Sequence, residues 1–251
     1  MLKHCAVFVL LAALFTFALP AGAYAASAGS LLSAGSDLLK AATLSDSEVK
    51  ELGKATATAM DAKNKVAPAG NAYAKRLDKI VSSLRKVDGL SLNYKVYLTS
   101  QVNAFACPDG SIRVFSGLMD MMNDDELYFV IGHEIGHVAN GDSADKMKLA
   151  YTASGLRTAA GAAGGVVGSL SSSQLGDMGE ALINSQFSQS QEYQADAYGL
   201  VLIQKNRKNQ QAAVSALRKL ATPGRDSSMF DTHPDSDKRA DAIAAKITTG
   251  K

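Results

Sequence analysis

The sequence predicts an α+β domain, mainly helical, with a small β-sheet beside one central helix. Three observations carry that reading. Apolar residues recur at helical spacing through most of residues 45–251, the pattern switches to alternation between Leu90 and Leu98, and His133-Glu134-Ile135-Gly136-His137 lies within an apolar helical run from Asp124 to Asp142. At 251 residues, 47% hydrophobic and 20% charged, the chain has material for one full-sized core. The formal net charge of +2 shows no bias toward acidic partners, and no nucleic-acid partner is expected.

The amino terminus stands apart from that domain. Lys3 and His4 precede an apolar run from Cys5 to Leu19, followed by Pro20 and Ala23-Tyr24-Ala25. This is the basic region, apolar core and small-x-small cleavage site of a secretory signal over residues 1–25. The run is short for a membrane span, so cleavage after Ala25 is expected, with an uncleaved anchor as the alternative. Cys5 precedes the apolar core, the wrong place for a lipoprotein cysteine. The mature chain is therefore expected to be periplasmic or secreted, with membrane association not required. Residues 26–44, rich in Ala, Ser and Gly, read as a flexible leader before the domain at 45–251. Signal removal leaves Cys107 alone, which excludes an intramolecular disulfide. Burial is its expected role; pairing with another molecule and contact with a metal are the alternatives.

Within the domain, Ser45 with Glu48 reads as a capping box opening a helix with Val49, Leu52 and Met60 that runs until Pro68. A second helix is expected from Asn71 to Lys86. A half-buried strand is expected from Leu90 to Leu98, then a short strand from Asn103 to Cys107, a turn at Pro108-Asp109-Gly110 and a third strand with Ile112 and Val114. Asn123 and Glu126 cap the central helix, and Gly141 stops it. After a further helical stretch, Thr158 to Leu170 is read as a packed helical connection or as a mobile lid. Helices are expected from Asn184 to Lys205 and from Gln210 to Leu220. A last helix opens at Thr232-His233-Pro234, with Pro234 in its first turn.

Two histidines four residues apart lie within about 40° of each other on a helix, so both reach one metal ion from the same face. Glu134 sits beside them, where a carboxylate takes a proton from a water that the metal activates. Catalytic zinc usually has three protein ligands and one open position, which leaves one ligand to find. Asn140 and Ser143 exclude the extended HExxHxxGxxH form. A carboxylate from a later helix remains, and Glu192 is the candidate. Asp196, one turn on, is positioned to hydrogen-bond the free ring nitrogen of a ligand histidine.

Together with these residues, Asn103-Ala104-Phe105-Ala106, Phe115-Ser116-Gly117-Leu118, Glu192-Tyr193-Gln194-Ala195-Asp196 and His233-Pro234 with Arg239 form a set over about Ser45 to Ile247. In these segments the chain resembles the gluzincin metallopeptidases of peptidase family M forty-eight, the HtpX and CAAX prenyl protease superfamily, in its soluble exported LoiP-like and BepA-like form. The resemblance implies a zincin-type fold and one zinc ion per chain held by His133, His137 and Glu192. It also implies Glu134 as general base and Asp196 supporting a ligand. It further implies polypeptide substrates, unfolded or misfolded exported and outer-membrane proteins. The chain departs from HtpX and the prenyl proteases in lacking their multiple membrane spans. A lipoprotein cysteine and a helical-repeat tail are likewise not expected, so anchoring and partner recruitment do not carry over from the resemblance.

The expected function is thus a zinc-dependent endopeptidase. A non-cleaving zinc-containing chaperone or assembly factor is the rival, and it offers no reason for Glu134. The strand Asn103, Ala104, Phe105 and Ala106 is expected to line the cleft as an edge to which extended substrate adds. The resemblance favours a catalytic role for His233 as a donor to the developing oxyanion, with Arg239 close by; a residue of the helix start is the alternative, and a zinc ligand in a latent state is a variant of the functional reading.

Overall fold

The structure, a computed structural model, describes residues 44–153, 165–168, 170–222 and 228–250. The expected signal peptide, the leader as far as residue 43, and the stretch Thr158 to Leu170 apart from residues 165–168 and 170 lie outside them. Ser45 and Glu48 close the predicted capping box at the head of α1, Asp46–Lys63, which buries Val49, Leu52 and Met60. This helix ends at Asn64, short of Pro68, because the chain pairs with a strand instead: Ala67 N–H donates to Val96 O and Leu98 N–H to Lys65 O. Helix α2, Ala72–Ile80, is likewise shorter than expected. Val81 and Leu84, both fully buried, turn into the core and break it.

The single strand expected from Leu90 to Leu98 is instead divided between a hairpin and the main sheet. Strands β1, Lys86–Val87, and β2, Leu90–Ser91, form the antiparallel hairpin. Its turn is Asp88-Gly89, both with positive φ (47° and 81°), the conformation a two-residue primed turn requires. Leu92 turns into the core and separates the hairpin from β3, Asn93–Tyr97. Strands β4, Ala104–Ala106, and β5, Ser111–Phe115, complete a sheet of order β3-β5-β4, parallel on one side of β5 and antiparallel on the other.

Helix α3, Ser116–Met121, leads to α4, Asp124–Ala139, capped reciprocally by Asn123 and Glu126 as the sequence indicates. Gly141 (φ 85°) ends it and admits α5, Asp142–Ala153. The short α6, Gly165–Gly168, precedes α7, Ser172–Asn184. Helix α7 is not among the helices expected from the sequence, although Ser171 and Gln174 form a capping box at its head. Helix α8, Gln189–Lys205, starts with another box, Ser188 with Gln191. Helix α9, Gln211–Leu220, and the short α10, Ser228–Thr232, come before α11, Ser236–Thr249. Pro234 is not in the first turn of α11. Asp235 is the cap, with φ 60°, and His233 N–H donates to Met229 O, so His233 closes α10 rather than opening α11.

The sheet is covered on both faces, and every residue of β5 is buried. Val96, Ala104, Ala106, Ile112 and Val114 face one apolar cluster that includes residues of α2, α4, α8, α9 and α11. Tyr97, Phe105 and Phe115 face the other, with α1, α5 and α7. Cys107 is fully buried in this second cluster, as its type predicts. No helix among the described residues is long and apolar enough to cross a membrane.

Candidate metal centre

Helix α4 is buried from Glu126 through His137. Helix α8 packs along it and brings Glu192 and Asp196, both fully buried, to the face that carries His133 and His137. His233 arrives from the link between α10 and α11 and is held from both sides by the end of one helix and Pro234. One donor atom each from His133, His137, Glu192 and His233 lies within 4.8 Å of all the others.

The rings are oriented from behind. His133 Nδ1 lies 2.9 Å from Asp196 Oδ1, and His137 Nδ1 lies 2.9 Å from Asp142 Oδ2. A carboxylate accepts, so each Nδ1 carries the proton and each Nε2 presents a bare lone pair. Those two Nε2 atoms face each other at 3.0 Å. Glu192 Oε1 is 3.4 Å from His137 Nε2, and Glu192 Oε2 is 3.6 Å from His133 Nε2. Two lone pairs and a carboxylate converging in a buried space repel one another unless a cation lies between them, so these residues fit a divalent metal. Imidazole and carboxylate donors are those zinc takes.

His233 joins the same group. Its Nδ1 is 2.9 Å from Glu192 Oε1 and 3.2 Å from His133 Nε2. Burial pushes the His233 pKa down to about 4, so the ring is neutral, and Nδ1 offers a lone pair to a metal in the tautomer that carries its proton on Nε2. Burial opposes the charge on Glu192, but His233 and His133 outweigh it and hold the carboxyl well below the usual carboxylate range. Glu134 is in the opposite condition. It is 2% exposed, its Oε1 has no hydrogen-bond partner among the described residues, and that atom lies 3.7 Å from His233 Nε2. Burial pushes its pKa up.

Residues 71–247 match Peptidase family M48. The chain belongs to this family. The metalloprotease LoiP of Escherichia coli (strain K12) is 48% identical over 221 residues, 87% of this chain and 88% of that protein. The metalloprotease YcaL of the same strain is 45% identical over 223 residues, 88% of each. The protease HtpX of Acinetobacter baumannii (strain AYE) is 51% identical over only 51 residues, 19% of this chain and 17% of HtpX. The chain is therefore a metalloprotease, a hydrolase of the zinc-dependent kind, and the α+β, mainly helical domain expected from the sequence is the one found.

Other expected site residues of this M48 domain lie around the cluster in distinct ways. Arg239, 2% exposed, directs its guanidinium at the carboxylates. Its Nε donates to Asp196 Oδ2 at 2.7 Å, its Nη2 to Asp196 Oδ1 at 2.6 Å, and its Nη1 pairs with Glu192 Oε2. It stands behind the donor cluster, on the side of the two carboxylates. Strand β4 is the outer strand of its sheet and packs beside α4. Asn103, at its start, is buried, and its Nδ2 has no partner among the described residues.

Three neighbours escape a reading of the sequence. Asp142 lies five residues after His137 at the start of α5, a spacing that could mark it. Phe187 stacks on the His137 ring at 3.6 Å and 5°, and Lys146 Nζ sits 3.1 Å from the centre of the Phe187 ring. Lys146 also donates to Ser185 O, and burial lowers its pKa to about 7. Nothing local in the sequence marks either residue, because α5 and the link before α8 meet only in the fold.

Proposed function

We propose that this M48 protein is an exported zinc endopeptidase acting on unfolded or misfolded polypeptides, with one zinc ion per chain held by His133, His137 and Glu192. The observation that carries this is the convergence of two bare Nε2 lone pairs and a buried carboxylate on one point, beside the unpartnered Oε1 of Glu134. Zinc there supplies a water acidified toward neutrality and a polarised peptide carbonyl. Glu134 is the general base: it takes the proton of the attacking water and gives it to the leaving amine. Asp196 and Asp142 hold the two imidazoles in the tautomer that leaves Nε2 free. Arg239 balances the charge of Asp196 and Glu192.

The outer position of β4 supports the reading of Asn103 to Ala106 as the strand to which an extended substrate adds, with the Asn103 amide as a further donor. Such a strand accepts unfolded segments and refuses folded ones. The position of His233 Nδ1 among the donors supports its latent-ligand role, because a fourth protein ligand closes the position a catalytic site keeps open. Export rests on the basic, apolar and small-x-small pattern of residues 1–25.

The test is hydrolysis of casein by the purified mature protein, with and without a chelator. Cleavage that stops on chelation and returns with zinc is expected. Absence of cleavage from a zinc-loaded protein, with His233 intact or replaced, would overturn the enzymatic reading. Amino-terminal sequencing of the protein recovered from an exporting host is expected to begin at Ala26.

A further inference from the structure

The two helices that carry the metal donors approach most closely at glycine and alanine, with the side chains of Tyr198, Leu202 and Phe129 around the contact. Gly132 and Gly136, one turn apart on α4, each immediately precede a donor histidine. They meet Gly199 and Ala195, one turn apart on α8, and Ala195 lies beside Asp196 and one turn from Glu192. A methyl group on Gly136 would stand 2.9 Å from Ala195 Cα and 3.1 Å from Ala195 O, both backbone atoms that cannot swing aside. On Gly132 it would stand 3.1 Å from Gly199 Cα, and on Gly199 it would stand 3.1 Å from His133 N. Glycine within a helix costs stability, so its use at three such points needs a reason. Closest approach of the backbones is that reason.

We propose that Gly132, Gly136, Gly199 and Ala195 form a seam that sets the separation of the donor helices, and so are positioning residues for the metal. This rests on the assignment of His133, His137 and Glu192 as ligands. His133 and His137 come from one side of the seam, and Glu192 and Asp196 from the other. Two contacts join the sides, 2.9 Å from His133 to Asp196 and 3.4 Å from His137 to Glu192. Any widening of the seam moves Glu192 away from the imidazoles and Asp196 away from the ring it orients. Both losses fall on metal affinity.

The experiment compares zinc dissociation constants, by competition with a chromophoric chelator, and melting temperatures of the metal-free mature protein. Gly136→Ala is the severe variant and Gly199→Ala the milder one, should the first fail to fold. Gly179→Ala is the control: it also crowds a helix contact, with a methyl 2.6 Å from Met60 Sδ, but between α1 and α7, away from the donors. The seam variants are expected to weaken zinc binding by roughly tenfold or more, as loss of support behind a ligand does. Gly179→Ala should keep the wild-type constant even where its melting temperature falls. Wild-type zinc affinity in both folded seam variants, or equal weakening in the control, overturns the inference. His137→Ala in the same titration reports on the ligands alone. Zinc lost there but kept in Gly136→Ala overturns the seam and leaves the ligand set standing, whereas zinc kept in His137→Ala removes both.

Discussion

Asp196 joins His133 to Arg239: one carboxylate accepts the ring Nδ1 proton at 2.9 Å and two guanidinium hydrogen bonds at 2.6 and 2.7 Å. Burial opposes the Asp196 charge, but Arg239 and His133 hold its carboxyl below the ordinary range, so it is ionised when it orients the ring. Asp196→Ala is expected to weaken zinc binding by about 10–100-fold. The measurement is a chelator competition on protein shown by circular dichroism to be folded. An unchanged zinc constant would remove Asp196 from any supporting role.

Glu134 predicts a different separation of effects. Its carboxyl is not among the four clustered donors and has an unpartnered oxygen, so it is assigned to proton transfer and not to holding metal. Glu134→Gln is expected to retain stoichiometric zinc by elemental analysis while casein turnover falls by about 10²–10⁴-fold. Loss of zinc together with activity would instead make Glu134 a ligand.

Stability depends on Asp61, which is outside the metal-donor set. Its carboxylate accepts from Arg113 Nε and Nη2 at 2.7 and 3.0 Å, from Tyr97 Oη at 2.8 Å and from Lys95 Nζ at 2.7 Å, and Arg113 is 2% exposed. Asp61→Ala leaves that guanidinium buried without its carboxylate, held only through Nη1 by Asn93 Oδ1 and Ile112 O, at an expected cost of about 3–5 kcal/mol in denaturant unfolding. Burial acts against the Asp61 charge, yet Arg113 and Lys95 hold its pKa below the ordinary 3.8. A depressed carboxyl pKa contributes stability above the unfolded-state value and loses it as pH falls through the folded one. The melting-temperature gap between wild type and Asp61→Ala should therefore be full at neutral pH and narrow in acid. A gap independent of pH would place the Asp61 contribution in packing, not charge.

The parts of this architecture that can be read from the sequence are the locally encoded ones. The cap of α4 by Asn123 and Glu126, its apolar stripe and the four-residue spacing of His133 and His137 all lie within one helix, where period and position suffice. Glu192 and Asp196 are legible as a pair one turn apart once a third donor is required. Helix α7 escapes because Gly176 and Gly179 dilute its pattern. Gly179 is explained only by its contact with Met60 on α1, which no local rule anticipates. Leu92 reads as part of one strand because alternation continues through it, whereas the Asp88-Gly89 turn sets a separate hairpin. Phe187 and Lys146 belong to the site through tertiary contact alone. The direction of His233 depends on how the chain leaves α10, which neither Pro234 nor the helix pattern determines.

That direction gives the last prediction. His233 Nδ1 points at Glu192 Oε1 and His133 Nε2, while Nε2 of the same ring lies 3.7 Å from Glu134 Oε1. The ring therefore stands between the donor cluster and the proposed base, in the space an attacking water must use. With its proton on Nε2, a neutral imidazole there would serve as a fourth donor and would close the position that a catalytic site keeps open. His233→Ala is expected to raise basal casein turnover several-fold and to retain zinc on the remaining three donors, since removing the ring frees the open position without touching His133, His137 or Glu192. The opposite result is equally readable. A fall of about a hundredfold or more with zinc retained would show that His233 stabilises the oxyanion. Loss of zinc would make it an obligatory ligand, and a change in melting temperature alone would reduce it to a residue of the α10–α11 turn. Steady-state cleavage of casein, alongside zinc content of the same samples, separates all four.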